Sequence, residues 1–268
     1  YKLILNGTPL SRNLLDLWAQ MQFLSPRILN MKLAEYKDTF CEYTRVTKRI
    51  GRKGYTKEFI TGYENVDYLY SLIRHYVYRC DLRLNITQNY REVAYKLDDD
   101  SWEEYQRLKG YYLRDETLEW KNNNIFIEMT QKMQHAYCCS PAKVDAVREV
   151  LRTIPEDQCL IFCKYVDSQE LCRRMFPKAV VLSYQKDALG LNLQHYRYTI
   201  YFDKIWDYAL RIQSGHRTFR TGQEYDCLYW DLTGDVGLEK MIDKNIQKKV
   251  GLTEYFKSKT KEELKEEL

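Results

Sequence analysis

The chain has 268 residues, of which 44% are hydrophobic and 30% are charged, a composition typical of a soluble globular protein with one or two domains. It contains no apolar run of about 18 residues, and no small-residue cleavage site follows the N-terminal segment YKLILNGTPL, so we expect neither a transmembrane helix nor a signal peptide. The net charge of +4 is too small to indicate a polyanionic partner by itself.

The N-terminal part of the chain predicts one strand followed by helices. Residues 2–6, KLILN, form a compact apolar run that predicts a buried strand, and Gly7, Thr8 and Pro9 end it with turn chemistry. Because this strand would begin almost at the first residue, we expect the sequence to be a piece of a larger protein. Apolar residues at helical spacing predict helices over residues 13–24, 31–47 and 65–80.

Basic residues cluster between the second and third of these helices. The stretch from Arg45 to Lys57 contains no acidic side chain and six basic ones: Arg45, Lys48, Arg49, Arg52, Lys53 and Lys57. Such a segment can neutralise nucleic-acid phosphates, but it is equally typical of a solvated loop. Charge alone leaves both interpretations open.

The chain continues with an extended segment over residues 90–97 and two helices within residues 99–139. Ser140 is a candidate N-cap, with Pro141 in the first turn of the next helix. Beyond it, strands alternate with helices, which indicates a parallel sheet covered on both faces. The predicted strands are 158–163, 179–183, 199–203 and 227–232, and the predicted helices are 166–175, 207–218 and 236–248. The sequence therefore predicts an α/β region, residues 140–250, after a mostly helical region, residues 7–138.

Eight cysteines are distributed along the chain. None forms a C-x-x-C pair, and a metal site would need further ligands at short spacing, whereas the four histidines are scattered. Buried free thiols in a reducing cytosol are therefore the favoured interpretation, and we expect no metal site.

The sharpest chemical signal is QSGHRTFRTGQ, residues 213–223. On a helix, Gln213, Arg217 and Arg220 would share one face because they lie four and then three residues apart. Two guanidinium groups side by side repel each other unless an anion lies between them, and the planar fork of arginine suits phosphate. The segment predicts arginines that neutralise a transferring phosphoryl group, although an exposed helix face with unrelated arginines gives the same spacing.

A second signal is LSYQKDALGLNLQ, residues 182–194, where a predicted buried strand leads into a loop. Ligands of open parallel sheets bind beyond the carboxyl ends of the strands, so this loop lies where a ligand is expected. An ordinary connection between a strand and a helix is the alternative. The loop carries Ser183, Lys186, Asp187, Gly190 and Asn192. Near the N-terminus, Thr8 can cap the following helix or contact a phosphate.

In their order and spacing, these segments resemble the Swi/Snf family of superfamily-two helicase-like ATPases. NGTPLSRNLLDLWAQMQFLSP is similar to the family's third helicase motif and the helix after it, CLIFCKYVDSQELCRRMF to its fourth motif, LSYQKDALGLNLQ to its fifth and QSGHRTFRTGQ to its sixth. Asp203 and Trp206 also lie where the family has an Asp and a Trp. The resemblance covers nearly all of residues 1–250. The connection after Phe176 is shorter than is usual in the family, so the chain looks like a compact variant of the kind found in phages.

The resemblance implies a RecA-like α/β lobe, residues 139–268, preceded by the end of a first motor lobe and a helical protrusion, residues 1–138. Arg217 and Arg220, supported by Gln213, would reach a nucleotide that the first lobe holds. The residues implied to couple nucleotide state to DNA are Gly190, Asn192 and Thr8. The residues implied to contact DNA are Ser183, Lys186, Lys164, Arg49, Arg52 and Lys53, and Phe162 lies in the same motif as Lys164.

The phosphate loop G-x-x-x-x-G-K-[ST] and the magnesium motif D-E-x-H do not occur in the sequence. Family order puts both before Tyr1, which implies that ATP and Mg²⁺ are held mainly by an N-terminal RecA-like lobe and that this chain alone is inactive. The expected partners are that lobe and double-stranded DNA, without a membrane, in the cytoplasm of a bacterial or phage-infected cell. The expected function is the C-terminal half of an ATP-driven double-stranded DNA translocase. The alternative is a non-catalytic nucleic-acid-binding or partner-docking module derived from a helicase lobe.

Overall fold

The computed structural model describes residues 1–5, 14–50, 53–78, 83–114, 123–185 and 192–248. The predictions for Thr8, Arg52, Lys186 and Gly190 therefore lie outside the described residues. The chain divides into two compact units, residues 1–81 and residues 82–268. The family resemblance implies a boundary between residues 138 and 139, and that boundary stays a prediction.

The first unit combines three helices with one hairpin among its described residues. Its elements are α1 (Leu15–Leu24), α2 (Leu33–Phe40), β1 (Cys41–Ile50), β2 (Lys53–Tyr63) and α3 (Val66–Ile73). The helix predicted over residues 13–24 is confirmed as α1, whose buried Leu17 and Met21 join a core with Phe40 and Leu69. The hydroxyl of Tyr36, at the centre of this core, donates a hydrogen bond to the carbonyl of Leu14 at 3.0 Å.

Strands β1 and β2 pair as an antiparallel hairpin, so the predicted helix over 31–47 is wrong beyond Phe40. The run CEYTRVTKRI is rich in β-branched and aromatic residues, which favour a strand when a similar strand follows. The basic segment therefore lies in a hairpin, where Arg49 pairs with Gly54 and Lys53 pairs with Ile50. The helix predicted over 65–80 is shorter than expected, because α3 ends at Ile73.

The strand predicted over residues 2–6 is also wrong for the residues described there. Residues 1–5 form no strand, and Leu3 and Leu5 are 77% and 87% exposed. An apolar run becomes a strand only where another strand pairs with it. No strand in the described part of the chain pairs with this segment.

The second unit is built on a parallel sheet. Its elements are β3 (Gln88–Tyr95), α4 (Asp99–Tyr112), α5 (Asn123–His135), α6 (Pro141–Leu151), β4 (Cys159–Cys163), α7 (Val166–Met175), β5 (Val180–Ser183), β6 (Tyr198–Tyr201), α8 (Tyr208–Gly215), β7 (Cys227–Gly234) and α9 (Gly237–Lys248). The five strands pair in the order β3-β7-β6-β4-β5, and every pair is parallel. This confirms the predicted α/β class, and the segment predicted as extended over 90–97 is the edge strand β3.

Both faces of the sheet are buried, as β4 demonstrates. All five residues of CLIFC are buried. Cys159, Ile161 and Cys163 pack into the core on one face, whereas Leu160 and Phe162 pack into the core on the other. Successive side chains of a strand point to opposite faces, so a strand covered on both sides needs a continuous apolar run.

One carboxylate connects the beginnings of two helices. Asp98 caps α4 by accepting a hydrogen bond from the Ser101 backbone amide at 3.0 Å. Ser140 occupies the N-cap position of α6, with Pro141 in the first turn as predicted. However, the Ser140 hydroxyl donates to Asp98 Oδ2 at 2.5 Å instead of accepting from its own helix. The predicted side-chain cap is therefore replaced by a tertiary hydrogen bond.

Aromatic rings form a continuous row across the sheet, which we call the aromatic row: Tyr90, Tyr229, Tyr201, Phe162 and Tyr184. Tyr90 of β3 stacks on Tyr229 of β7 with ring centroids 4.6 Å apart. Tyr229 lies 6.2 Å from Tyr201 of β6, which in turn lies 5.8 Å from Phe162 of β4 and 6.1 Å from Tyr184 after β5. Ring contacts in the aromatic row therefore connect each strand to the next one on this face of the sheet.

The described cysteines are all free, and Cys139 alone among them is exposed, which agrees with the prediction of buried thiols. Within the described ranges, no helix combines the length and the apolar character needed to cross a bilayer.

Candidate functional site

The arginine segment follows helix α8 instead of lying on it. The helix begins at Asp207, whose carboxylate accepts a hydrogen bond from the Leu210 amide at 3.0 Å, and it ends at Gly215. Arg217 and Arg220 lie in the turns that follow, so the predicted helix face shared with Gln213 is wrong. Glycine is a poor helix former, and Gly215 lies where the helical pattern stops.

The two arginines nevertheless lie close together. Burial and the positive charge of Arg220 lower the pKa of Arg217. Both side chains are half-buried. An anion between two like charges removes their repulsion, and a guanidinium group donates paired hydrogen bonds to phosphate oxygens. The residues present therefore fit a phosphate group.

The end of the LSYQKDALGLNLQ segment meets the end of the arginine segment. Gly222 has a φ of +96°, which favours glycine, and a Cβ atom there would lie 3.6 Å from Cγ of Gln194. Gln223 Nε2 donates a hydrogen bond to the carbonyl of Tyr196 at 2.8 Å. Residues 192–197 lead into β6 and residues 217–223 lead towards β7. They thus meet at the edge where the parallel strands begin, which we call the amino edge.

The amino edge contains buried polar atoms that an incoming ligand can satisfy. Oε1 of Gln194 and Nε of Arg197 are buried and have no hydrogen-bond partner among the described residues. The Arg197 guanidinium lies 5.0 Å and 5.2 Å from the ring centroids of Tyr198 and Tyr225. An unsatisfied buried polar group costs about 1–3 kcal/mol. Sequence reasoning missed both residues, although GLNLQ was an available signal for Gln194.

Ser183 and Lys164 lie at the opposite edge, where strands β5 and β4 end, which we call the carboxyl edge. The hydroxyl of Ser183 accepts a hydrogen bond from the Gln185 amide at 3.3 Å. Lys164 Nζ donates to Gln134 Oε1 at 2.5 Å and lies 4.9 Å from the ring centroid of Tyr165. Burial lowers the pKa of Lys164 to about 8. A buried ammonium whose hydrogen-bond acceptor is neutral is stabilised by a nearby anion.

Asp203 connects the carboxyl edge to the core. Its carboxylate accepts hydrogen bonds from Lys143 Nζ at 2.5 Å, from the Lys164 amide at 2.9 Å and from the Ser168 hydroxyl. The side chains of Lys143 and Asp203 are only 2% and 3% exposed. Burial acts to lower the pKa of Lys143, but attraction to Asp203 and Glu239 outweighs it and raises the pKa overall. The network fixes the backbone position of Lys164.

Arg211 is a third arginine near the site, and sequence reasoning did not identify it. Its Nη2 donates to both carboxylate oxygens of Asp231, at 2.9 and 2.8 Å. Its guanidinium also lies 3.4 Å from the ring centroid of Tyr201. Arg211 is therefore held within the protein, and it attaches α8 to the aromatic row.

The remaining predicted site residues are distributed over both units. Asn192 is exposed at the start of the loop that leads to the amino edge, and Gln213 is half-buried in α8. Phe162 is fully buried in the aromatic row, so its side chain does not face solvent. Arg49 and Lys53 belong to the hairpin of the first unit. The structure thus brings Arg217 and Arg220 together at one edge of the sheet and Lys164 and Ser183 at the other.

No protein-family model matches the chain, and no curated protein matches it. Solved structures do match. The C-terminal part of the Fun30 ATPase domain aligns with 60% of this chain and 89% of its own, at 14% identity and a TM-score of 0.46. The Sulfolobus solfataricus SWI2/SNF2 ATPase core in complex with dsDNA aligns with 87% of this chain and 57% of its own, at 18% identity and a TM-score of 0.47.

The Sulfolobus solfataricus SWI2/SNF2 ATPase core domain aligns with 94% of this chain and 62% of its own, at 17% identity and a TM-score of 0.47. The chain therefore spans about three fifths of the length of the two Sulfolobus cores. Both cores come from the family that the motifs resemble.

Proposed function

We propose that this chain is the C-terminal half of an ATP-driven double-stranded DNA translocase of the Swi/Snf type and contains its second motor lobe. The observation that supports this most is the pair Arg217 and Arg220 at the amino edge, where the charge of one lowers the pKa of the other. ATP, when bound with Mg²⁺ in a first lobe, supplies the phosphoryl group and the metal charge. Arg217 and Arg220 neutralise charge on that phosphoryl group, and Gln213 supports them.

The two edges of the sheet have separate roles in this proposal. The amino edge faces the nucleotide, and Asn192, Gly190 and Thr8 couple its state to DNA. The carboxyl edge faces duplex DNA, where contacts to phosphate read shape and charge instead of base identity. The residues proposed to contact DNA are Lys164 and Ser183, together with Lys186, Arg49, Arg52 and Lys53. Because β4 has five residues, the edges lie about 13 Å apart, so one short sheet connects the two binding events.

The decisive experiment replaces Arg220 by Ala in a protein in which this chain is joined to the first lobe. We expect DNA-stimulated ATP turnover to fall by about three to five orders of magnitude, as for the loss of other arginine fingers. DNA affinity should change little, because Arg220 lies at the edge away from DNA. Turnover is measured by phosphate release and DNA affinity by fluorescence anisotropy.

The matched control is Arg152→Ala, because Arg152 is an exposed arginine that pairs with nearby Glu149 at 2.5 Å. This variant should keep its turnover. Turnover of Arg220→Ala within tenfold of the unaltered protein would contradict the finger assignment. We also expect this chain alone to show no ATP turnover. Salt-dependent DNA binding by a joined protein that never hydrolyses ATP would instead favour the non-catalytic binding module.

A further inference from the structure

Three side chains with metal-binding chemistry meet where α5 ends and α7 begins. His135 Nε2 lies 2.9 Å from Asp167 Oδ2. The thiol of Cys138 completes a set in which all three ligand atoms lie within 4.8 Å of one another. His135 and Asp167 are exposed and Cys138 is buried, so the set has one side in the protein and one side in solvent.

Local structure explains why the three side chains converge. His135 is the last residue of α5, and the chain continues in a helical turn in which the Cys138 amide donates to the His135 carbonyl at 3.3 Å. Residues three apart in such a turn lie on the same side. The Tyr165 ring meets the His135 ring edge to face at 5.4 Å, which fixes the imidazole plane. Asp167 lies in the first turn of α7 and reaches across to it.

We propose that His135, Cys138 and Asp167 form a zinc-binding site. Imidazole nitrogen, thiolate sulfur and carboxylate oxygen are the ligands that zinc uses in proteins, at about 2.0–2.3 Å in tetrahedral geometry. Ligand nitrogen and oxygen atoms around such an ion lie roughly 3.3 Å apart, so His135 Nε2 and Asp167 Oδ2, now 2.9 Å apart, would separate slightly to admit it. On binding, the Cys138 thiol loses its proton to solvent. One thiolate and one carboxylate then balance the double positive charge of the ion.

The fourth ligand position can be filled from the same turn. Cys139 is exposed, and its sulfur lies 3.7 Å from that of Cys138. Two thiolates on one tetrahedral zinc lie about 3.8 Å apart, so this pair already has a compatible spacing. The site could not be found from short spacing in the sequence, because a complete helix and a strand separate Cys138 from Asp167.

A zinc ion here would clamp the end of α5 to the start of α7. Lys164 and Tyr165 lie just before α7, so the clamp would also restrain the carboxyl edge. A cavity of about 610 Å³, lined in part by His135, Tyr165 and Lys132, opens beside the imidazole and gives the ion a route from solvent.

The test measures binding of zinc alone and of cobalt(II) alone to the complete 268-residue chain, reduced and freed of metal. We expect about one zinc retained per chain after gel filtration. Cobalt(II) should give the near-ultraviolet absorption band of a thiolate ligand. Cys138→Ser, His135→Gln and Asp167→Asn should each weaken zinc binding by roughly 100-fold or more, since loss of outer-shell partners alone costs 10–100-fold.

Matched controls make the same chemical changes elsewhere. His75→Gln and Asp145→Asn alter an exposed histidine and an exposed aspartate away from the set, and both should bind zinc like the unaltered chain. Loss of zinc in Cys139→Ser would support the site and add Cys139 as the fourth ligand. Because His135 and Asp167 are exposed, their variants should fold, which circular dichroism checks. No zinc bound by the unaltered chain, or equal binding by Asp167→Asn, would overturn the proposal.

Discussion

Replacing Asp203 by Asn tests the charged network beneath the carboxyl edge. Asparagine keeps the size of the side chain and can still accept a hydrogen bond from the Lys164 amide. It removes the negative charge 2.5 Å from Lys143 Nζ, in a site where the lysine side chain is 2% exposed. Breaking a buried ion pair by removing one partner costs about 3–5 kcal/mol. We expect the free energy of unfolding of the second unit to fall by about that amount.

The assay is urea unfolding followed by circular dichroism. Glu239 also attracts Lys143, so the loss should lie near the lower end of the range. A second variant removes the isolated ammonium as well: Lys143→Met combined with Asp203→Asn should be more stable than Asp203→Asn alone by at least about 1 kcal/mol.

The matched control is Asp145→Asn, the same change in a surface pair. Asp145 accepts a hydrogen bond from Arg148 at 2.7 Å, but its side chain is 67% exposed, so the change should cost less than about 1 kcal/mol. A loss below about 1 kcal/mol for Asp203→Asn would refute the reasoning. So would a double variant that is less stable than the single one.

Two further predictions concern the second unit. In Gly234→Ala, the new Cβ would lie 2.9 Å from the buried Tyr95 ring and should destabilise by about 1–3 kcal/mol. In Gly110→Ala, in helix α4, the new Cβ would meet no described atom within 4 Å beyond the local helix backbone and should stabilise by about 0.5–1 kcal/mol. Thermal midpoints that shift in the same direction would contradict this. Since burial lowers the pKa of Lys164 to about 8, below its unfolded value near 10.5, the folded state binds fewer protons between those values. Stability should therefore rise by about 1 kcal/mol from pH 7 to pH 9 in urea titrations, and Lys164→Met should lose that rise; an identical pH dependence in the variant would disprove it.

Most elements of the parallel sheet could be predicted from the sequence because their signals are local. CLIFC is apolar at every position, and the helix predicted over 166–175 is α7 with the same limits. The wrong predictions concern segments whose structure depends on pairing with residues distant in the sequence. The hairpin over residues 41–63 depends on pairing between two strands, and the apolar run at residues 2–6 has no such pairing where it is described.

The candidate site was predictable as a set of residues but not as a geometry. The motif identified Arg217 and Arg220, but it did not reveal that α8 ends at Gly215 before them. The hydrogen bond from Gln223 to Tyr196 joins two segments 27 residues apart, and only the parallel order of β6 and β7 brings them together. Helical spacing alone therefore grouped the two arginines on a helix that ends before them, and their role stays a prediction.

For the translocase proposed above, the aromatic row has a mechanical consequence. Hydrogen bonds between parallel strands allow one strand to slip past the next when it is pulled lengthwise, because each step of slippage can re-form the same bonds. Rings that overlap from Tyr90 across to Tyr184 interlock these strands and oppose such shear. A force applied at the end of β4 would then move the five strands together as a rigid unit. Force applied at one edge of the sheet would therefore be transmitted to the other edge with little deformation of the sheet.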